Sequence, residues 1–156
     1  MFGRYPYHQG RPSENDKAIV ENALASFQLQ TFAERYLTEL SGGQRQRAMI
    51  AMVFCQQTDY VLLDEPLNNL DMYYARNLMQ LLRRLTDEHS RTTVVVLHDI
   101  NQAAAYADHV VAMKGGRVAM TGHPNDVFTA ANIRELFDMD VDVLDYKGRK
   151  LVVHHV

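Results

Sequence analysis

The sequence predicts an α/β fold in which helices cover a layered, mainly parallel β-sheet. Short apolar runs of strand length, at residues 60–63 and 93–97, alternate with segments whose apolar residues recur at helical spacing. The run at 60–63 is apolar at every position, which is typical of a central strand buried on both faces. It closes on Asp64-Glu65 and then Pro66, a residue that ends a central strand. Strands and helices in alternation indicate layers packed on one sheet.

The first part of the chain predicts mainly helix. Residues 1–12 are rich in Gly, Pro, Tyr and Arg and predict a loop. Ser13 followed by Asp16 resembles a capping box, and the apolar residues behind it share one helix face. A short helix is expected at 31–36, and a longer one at 45–57.

From residue 59 onward the pattern predicts alternating strands and helices. The expected elements are a long helix after Asp71, strands at 93–97, 110–113 and 118–121, helices at 100–106 and 130–137, and a terminal hairpin over 141–154. We therefore expect a helical subdomain over 1–58, and a sheet-rich part with the terminal hairpin over 59–156.

Composition limits the possible functions. The 156 residues are 47% hydrophobic and 22% charged, as in a globular domain with its own core. The net charge of −3 gives no basic footprint for nucleic acid. No apolar run is long enough to span a membrane, and no leader pattern opens the chain, so a cytosolic protein is expected. The single cysteine, Cys55, lies in an apolar helical run and is interpreted as a core residue.

Residues 40–44, Leu-Ser-Gly-Gly-Gln, form the segment that we call the signature segment. Ser41 followed three residues later by Gln44 is a capping box at a helix start. Two glycines in the first helical turn cost about 1 kcal/mol each relative to alanine, so another requirement must place them there. Bare N–H groups at a helix N-terminus bind anions such as phosphate. The alternative is an ordinary capped helix after a flexible turn.

Asp64 and Glu65 follow the carboxyl end of a predicted strand. In parallel sheets, ligands bind at the carboxyl ends of the strands. Two neighbouring carboxylates can divide the work there. One can hold Mg²⁺ through its water shell, while the other orients or deprotonates an attacking water.

Four ordered motifs carry a family resemblance: the signature segment, Leu-Leu-Asp-Glu-Pro at 62–66, Asn-Asn-Leu-Asp at 68–71, and the strand 93–97 followed by His98-Asp99. Together they resemble the nucleotide-binding subunits of ABC transporters. The amino-acid sequences of the opening residues and of residues 64–72 are most similar to those of the ATP-binding subunits of iron-chelate importers. The resemblance implies a P-loop NTPase-like three-layer fold, of which this chain would hold the helical subdomain and the C-terminal part of the RecA-like core.

The resemblance also implies roles for single residues. Asp64 would help to coordinate Mg²⁺, and Glu65 would be the general base for water attack on the γ-phosphate of ATP. His98 would contact that phosphate. The residues implied to contact nucleotide held by an opposing subunit, or to lie at the interface with it, are Ser41, Gly42, Gly43, Gln44 and Asp71.

The implied partners are protein subunits. A second ATPase subunit would bind head-to-tail, because each site is completed in trans, and transmembrane permease subunits would follow the nucleotide cycle. A periplasmic or surface binding protein would act only indirectly, and nucleic acid is not expected. The implied location is the cytoplasmic face of the membrane. Tyr5, Tyr7 and His8 are either contact residues for the permease or aromatic packing of a loop.

One family motif is absent. No Gly-Lys dipeptide occurs in the sequence, so the P-loop pattern G-x-x-x-x-G-K-[ST] is missing, as is the family's Q-loop glutamine. We therefore expect a C-terminal portion of the subunit that, alone, binds ATP weakly and has little ATPase activity. Two alternatives remain: a soluble ABC ATPase that acts on nucleic acid or ribosomes, and a non-enzymatic remnant.

Two further clusters near the C-terminus are not predicted to bind metal. Asp140, Asp142 and Asp145 lack the glycine and the bidentate glutamate of an EF-hand loop. The pair His154-His155 has no identifiable partner ligands.

Overall fold

The computed structural model describes residues 1–8, 10–68 and 70–154. Asn69, from the motif at 68–71, and His155, from the C-terminal histidine pair, lie outside the described residues. The chain forms two compact units, Met1–Val96 and Leu97–Val156. The boundary predicted between 58 and 59 divides the chain elsewhere and stays a prediction.

The elements follow one another in a helix-and-strand alternation. The first unit holds α1 (Tyr5–His8), α2 (Glu14–Ser26), α3 (Gly42–Phe54), β1 (Tyr60–Asp64), α4 (Met72–Glu88) and β2 (Thr92–Val96), with 3₁₀ turns at Phe2–Arg4, Gln30–Phe32 and Leu37–Glu39. The second unit holds α5 (Ile100–Tyr106), β3 (Val110–Lys114), β4 (Arg117–Gly122), α6 (Pro124–Val127), α7 (Ala130–Phe137), β5 (Asp142–Tyr146) and β6 (Arg149–Val153).

The opening residues are helical turns rather than the predicted loop. The 3₁₀ turn Phe2–Arg4 runs into α1, and both are held against the end of α3. A Cβ on Gly3 would lie 2.1 Å from the carbonyl oxygen of Met52, so only glycine fits at this contact. The loop prediction is wrong because glycine, which usually indicates a loop, here permits close packing against α3.

A buried ion pair fixes this segment. Arg4 and Asp16 are each only 5% exposed, and Arg4 Nε donates to Asp16 Oδ1 at 2.9 Å. Arg4 Nη1 also donates to the carbonyl of Cys55 at 3.1 Å and to Gln57 Oε1 at 3.0 Å. A guanidinium near the C-terminal end of α3 also complements the helix dipole. Arg4 thereby joins the start of the chain, the start of α2 and the end of α3.

Helix α2 begins as the sequence predicts. Ser13 and Asp16 form a reciprocal capping box, in which the Ser13 side chain accepts from the Asp16 N–H and the Asp16 carboxylate accepts from the Ser13 N–H. Hydrogen bonds from the Ser13 side chain and backbone, followed by that from Arg4, lower the pKa of Asp16 to about 2.

Two helix predictions need correction. The expected helix at 31–36 is only the 3₁₀ turn Gln30–Phe32. Helix α3 ends at Phe54 and not at residue 57, because Gln57 takes a left-handed backbone with φ of 54°. Cys55, which follows the helix, is buried, and burial raises the pKa of its thiol. This agrees with its interpretation as a core residue.

Strands β1 and β2 pair in parallel, with Leu62 opposite Val94 and Asp64 opposite Val96. Helix α3 contacts β1 and helix α4 contacts β2, while Val61 and Leu63 are buried. The opposite face is open: Tyr60 is 67% and Leu62 is 71% exposed. The prediction that β1 is buried on both faces is therefore wrong for the residues that the structure describes.

The second unit has a small hydrophobic core. Ile133 is fully buried there and packs with Val127, Phe128 and Val152. Helices α5 and α7 have the bounds that the sequence predicts. Strands β3 and β4 form an antiparallel hairpin, as do β5 and β6. The expectation of a mainly parallel sheet thus fails among the described strands, since only β1 and β2 pair in parallel. The tight turns at 114–117 and 146–149 explain this, because short turns join antiparallel neighbours.

Within the ranges 1–8, 10–68 and 70–154, no helix combines the length and the apolar character that a membrane span requires.

We predict that Gly3→Ala lowers the free energy of unfolding by about 1–3 kcal/mol, because the added methyl meets the α3 backbone at a contact too short to relax freely. Gly42→Ala is the matched control, since a Cβ on Gly42 has no atom within 4 Å. Urea unfolding of the two variants beside the parent chain measures the difference. Equal stability of the two variants would contradict the packing described for Gly3.

We also predict an acid-dependent loss of stability at Asp16. Its pKa in the folded chain, about 2, lies below the ordinary value of 3.8. The ionised carboxylate therefore contributes stability that is present above the ordinary pKa of 3.8 and is lost as the pH falls through the folded-chain pKa of about 2. Unfolding titrations across this range should show a steeper loss in the parent chain than in Asp16→Asn. Parallel curves for the two chains would count against the assignment.

Candidate functional site

The start of α3 is built as the signature segment predicts. Ser41 is the N-cap, its hydroxyl accepts from the Gln44 N–H at 3.4 Å, and its own N–H donates to Gln44 Oε1 at 3.0 Å. The first N–H groups of an α-helix have no partner within the helix. Gly42 is exposed, and the space where its Cβ would lie is open. An incoming group can therefore approach this helix end closely.

The start of α4 lies beside the start of α3. Asp71 is the N-cap of α4, and its side chain accepts from the Tyr74 N–H at 2.9 Å. A Cβ on Gly43 would lie 3.3 Å from Leu70 Cδ2, so the small residue allows the two helix starts to meet. Between them is a depression of about 240 Å³, which is lined by Ser41, Gly43, Gln44, Arg47, Leu70, Asp71 and Tyr74.

Arg47 gives this depression a positive wall. Its guanidinium lies 6.0 Å from the centre of the Tyr74 ring, and its Nη1 donates to the carbonyl of Phe27 at 3.2 Å. Arg47 is therefore held by the protein rather than pointing freely into solvent. Arg47 thus contributes a fixed positive charge to the lining of the depression.

The carboxylates lie at the end of β1, as predicted. Asp64 is the exposed last residue of the strand, and Glu65 follows it, half-buried, with φ of 47°. Pro66 is buried. The Asn68 N–H donates to the Glu65 carbonyl at 3.2 Å, and the Asn68 side-chain amide donates to Glu65 Oε2. Residues 65–68 thus form a tight turn, which we call the carboxylate turn.

A side chain of α3 holds the carboxylate turn. Gln46 Nε2 donates to the carbonyl of Pro66 at 3.0 Å, and this bond is partly buried. The signature segment and the carboxylate turn therefore belong to one connected structure within the first unit. Asp64, Glu65 and the depression at the start of α3 are joined through this contact.

His98 lies in the second unit, immediately before α5, and is exposed. The next residue, Asp99, is the N-cap of α5, and its carboxylate accepts from the N–H groups of Asn101 at 2.8 Å and Gln102 at 3.2 Å. The structure thus places His98 just before a capped helix start.

The structure brings Ser41, Gly43, Gln44 and Asp71 around one depression, with Gly42 at its side. The sequence alone does not predict three contributors: Gln46 and Asn68, through their hydrogen bonds, and Tyr74, which lines the depression. Asn68 could have been found as a turn residue, since asparagine is frequent in turns and its side chain often forms local hydrogen bonds there. No local signal pointed to Gln46.

Over the three described ranges, no group of three or more His, Cys, Asp or Glu side chains is arranged to hold a metal ion. Two C-terminal carboxylates instead form ion pairs: Asp140 lies 3.3 Å from Arg134, and Asp145 lies 2.8 Å from Lys150.

Comparison with known families gives one matching description, ABC transporter, over residues 4–68. This range includes the signature segment and the carboxylate turn.

Curated relatives are similar over nearly the whole chain. The petrobactin import ATP-binding protein YclP of Bacillus subtilis (strain 168) is 44% identical over 153 residues, which are 98% of this chain and 61% of the relative. The petrobactin import ATP-binding protein FatE of Bacillus anthracis is 46% identical over 143 residues, which are 92% of this chain and 57% of the relative. The chain therefore spans about three fifths of the length of these relatives.

Solved structures share the fold. A metal-chelate type ABC transporter in an inward-facing conformation superposes with a TM-score of 0.86 at 28% identity, over 97% of this chain and 63% of that chain. The dimeric structure of the bacterial ABC transporter cassette MJ0796 superposes with a TM-score of 0.65 at 32% identity, over 74% of this chain and 50% of that chain. The P-loop NTPase-like fold expected from the sequence is confirmed.

Proposed function

We propose that this chain, whose residues 4–68 match the ABC transporter family, is part of the ATP-hydrolysing subunit of a bacterial importer for iron–siderophore complexes. The observation that carries the proposal is the depression between the starts of α3 and α4, together with its Gln46 link to the carboxylate turn. The type of cargo is supported by the two relatives described above, which are petrobactin import ATP-binding proteins.

The geometry at the start of α3 suits a phosphate. Ser41, Gly42, Gly43 and Gln44 offer an open helix N-terminus, and Arg47 adds a fixed positive charge in the same depression. We assign this surface to the γ-phosphate of ATP that a second copy of the subunit holds. Asp71, which caps α4 at the rim, lies at the interface between the two copies in this proposal.

The end of β1 and the carboxylate turn that follows it suit hydrolysis. Asp64 is exposed at the end of β1, where a single carboxylate with water and phosphate oxygens can hold Mg²⁺. When bound, the ion neutralises charge on the phosphates of ATP. Glu65 is assigned as the general base that takes the proton of the attacking water. His98 is assigned to contact the γ-phosphate, from its place at the strand end before α5.

The proposed partners are a second ATPase subunit, bound head-to-tail, and the transmembrane permease subunits of the importer. A dimeric cassette among the structural neighbours supports the first partner, and the import function in the relatives' names supports the second. The proposed location is the cytoplasmic face of the membrane, with the extracytoplasmic binding protein contacting only the permease.

The sequence contains no P-loop, so the phosphate cradle of the family is not among these residues. Phosphoryl transfer depends on that cradle for positioning and for charge neutralisation. We therefore propose that the 156 residues by themselves bind ATP weakly and hydrolyse little of it.

We predict that a fluorescent ATP analogue shows no saturable binding to the 156-residue chain below the millimolar range, with or without Mg²⁺. The physical reason is that one helix N-terminus offers few of the contacts that a triphosphate needs. A fluorescence titration measures it. Tight, Mg²⁺-dependent binding would contradict the proposal, because another segment would then replace the P-loop.

We also predict that Glu65→Gln in the full-length subunit lowers kcat for ATP hydrolysis by roughly 10²–10⁴-fold, because the amide cannot accept the proton of the attacking water. ATP binding should persist. Glu88→Gln, at an exposed position at the end of α4, removes a carboxylate elsewhere and should leave kcat unchanged. A steady-state phosphate-release assay compares them. Full activity of the Glu65 variant would exclude it as the base.

A further inference from the structure

We infer that Asn68 is a positioning residue that holds the Glu65 carboxylate in the orientation required of a general base. The inference deepens the proposed function and rests on it. It starts from a single contact, the hydrogen bond from the Asn68 side-chain amide to Glu65 Oε2.

Glu65 has a backbone that needs support. Its φ of 47° lies in the left-handed region, which residues with a Cβ adopt only where the surrounding structure requires it. The turn provides that support from Asn68 twice. The Asn68 backbone N–H donates to the Glu65 carbonyl at 3.2 Å, and its side chain donates to the carboxylate.

The chemistry of the contact is specific. A carboxylate can only accept hydrogen bonds, and the amide nitrogen of asparagine is a donor. Glutamate has three rotatable side-chain bonds, so a donor at one oxygen removes much of its freedom and turns the carboxylate towards one direction. A general base must lie within hydrogen-bond reach of the proton that it removes, so a prearranged carboxylate is an advantage for the rate.

The backbone of the carboxylate turn is held independently of the Asn68 side chain. Gln46 bonds to the Pro66 carbonyl at 3.0 Å, Pro66 is buried, and the Leu70 N–H donates to the Leu67 carbonyl at 3.2 Å. Asn68 itself is exposed. Its substitution therefore removes the contact to Glu65 without removing the supports of the turn.

The test uses the full-length subunit with three variants. Asn68→Ala removes the donor, and Asn68→Asp keeps the shape but places a carboxylate against Glu65. Asn77→Ala, at an exposed position on α4, is the matched control. ATPase kinetics give kcat and KM, and thermal melting of each variant reports on folding.

We expect kcat to fall by about tenfold or more in Asn68→Ala, since a hydrogen bond to a charged group carries that much stabilisation. In Asn68→Asp we expect a greater fall, because the two carboxylates repel each other. KM for ATP should stay within roughly twofold in both variants, because an interaction that acts only on the chemical step changes kcat alone. Asn77→Ala should behave as the parent.

Two results would overturn the inference. If Asn68→Asp retains the parent kcat, the residue acts through its shape and not through its donor. If KM rises while kcat is unchanged, Asn68 serves nucleotide or partner binding instead. Both results require an active parent protein. An inactive full-length parent would refute the proposed function itself, so the two failures are distinguishable.

A second readout does not depend on activity. In an NMR spectrum of the 156-residue chain, the Asn68 side-chain amide protons should move upfield when Glu65 is changed to alanine, because their charged acceptor is lost. The amide of Asn77 should not move. An unchanged Asn68 amide signal would show that the contact does not form in solution and would overturn the inference.

Discussion

The hydrogen bond from Gln46 to the Pro66 carbonyl is the contact on which the arrangement of the site depends. Gln46 lies one turn into α3, behind the capped start of that helix, and Pro66 follows Glu65 directly. Because the bond is partly buried, it competes little with water and resists separation of the two segments. The helix end that suits a phosphate and the turn that carries Glu65 are thus held as one structure.

The start of the chain supports the same helix from its other end. Arg4 is buried beside the last residues of α3 and is neutralised by Asp16, which also caps α2. Burying the Arg4 guanidinium would destabilise the fold if it had no partners. Its hydrogen bonds to Asp16, Cys55 and Gln57 satisfy it and also connect separate segments of the chain. Helix α3 is consequently fixed at its C-terminal end by Arg4 and near its N-terminal end by Gln46, and the signature segment is presented from a rigid element.

One face of the β1–β2 pair is exposed to solvent. Tyr60, Leu62, Val94 and Val96 form an exposed apolar surface on one side of the pair. Exposed apolar surfaces and unpaired strand edges favour association between chains.

Local chemistry alone determined much of this protein. The helix starts at Ser13, Ser41 and Asp71, and the bounds of α5 and α7, follow from caps and apolar spacing within a few residues. Tertiary structure decided what those signals could not reach: the helical turns of residues 2–8, and the partners of Arg4 and Gln46. Each of these depends on atoms from distant parts of the chain, which only the fold brings within contact.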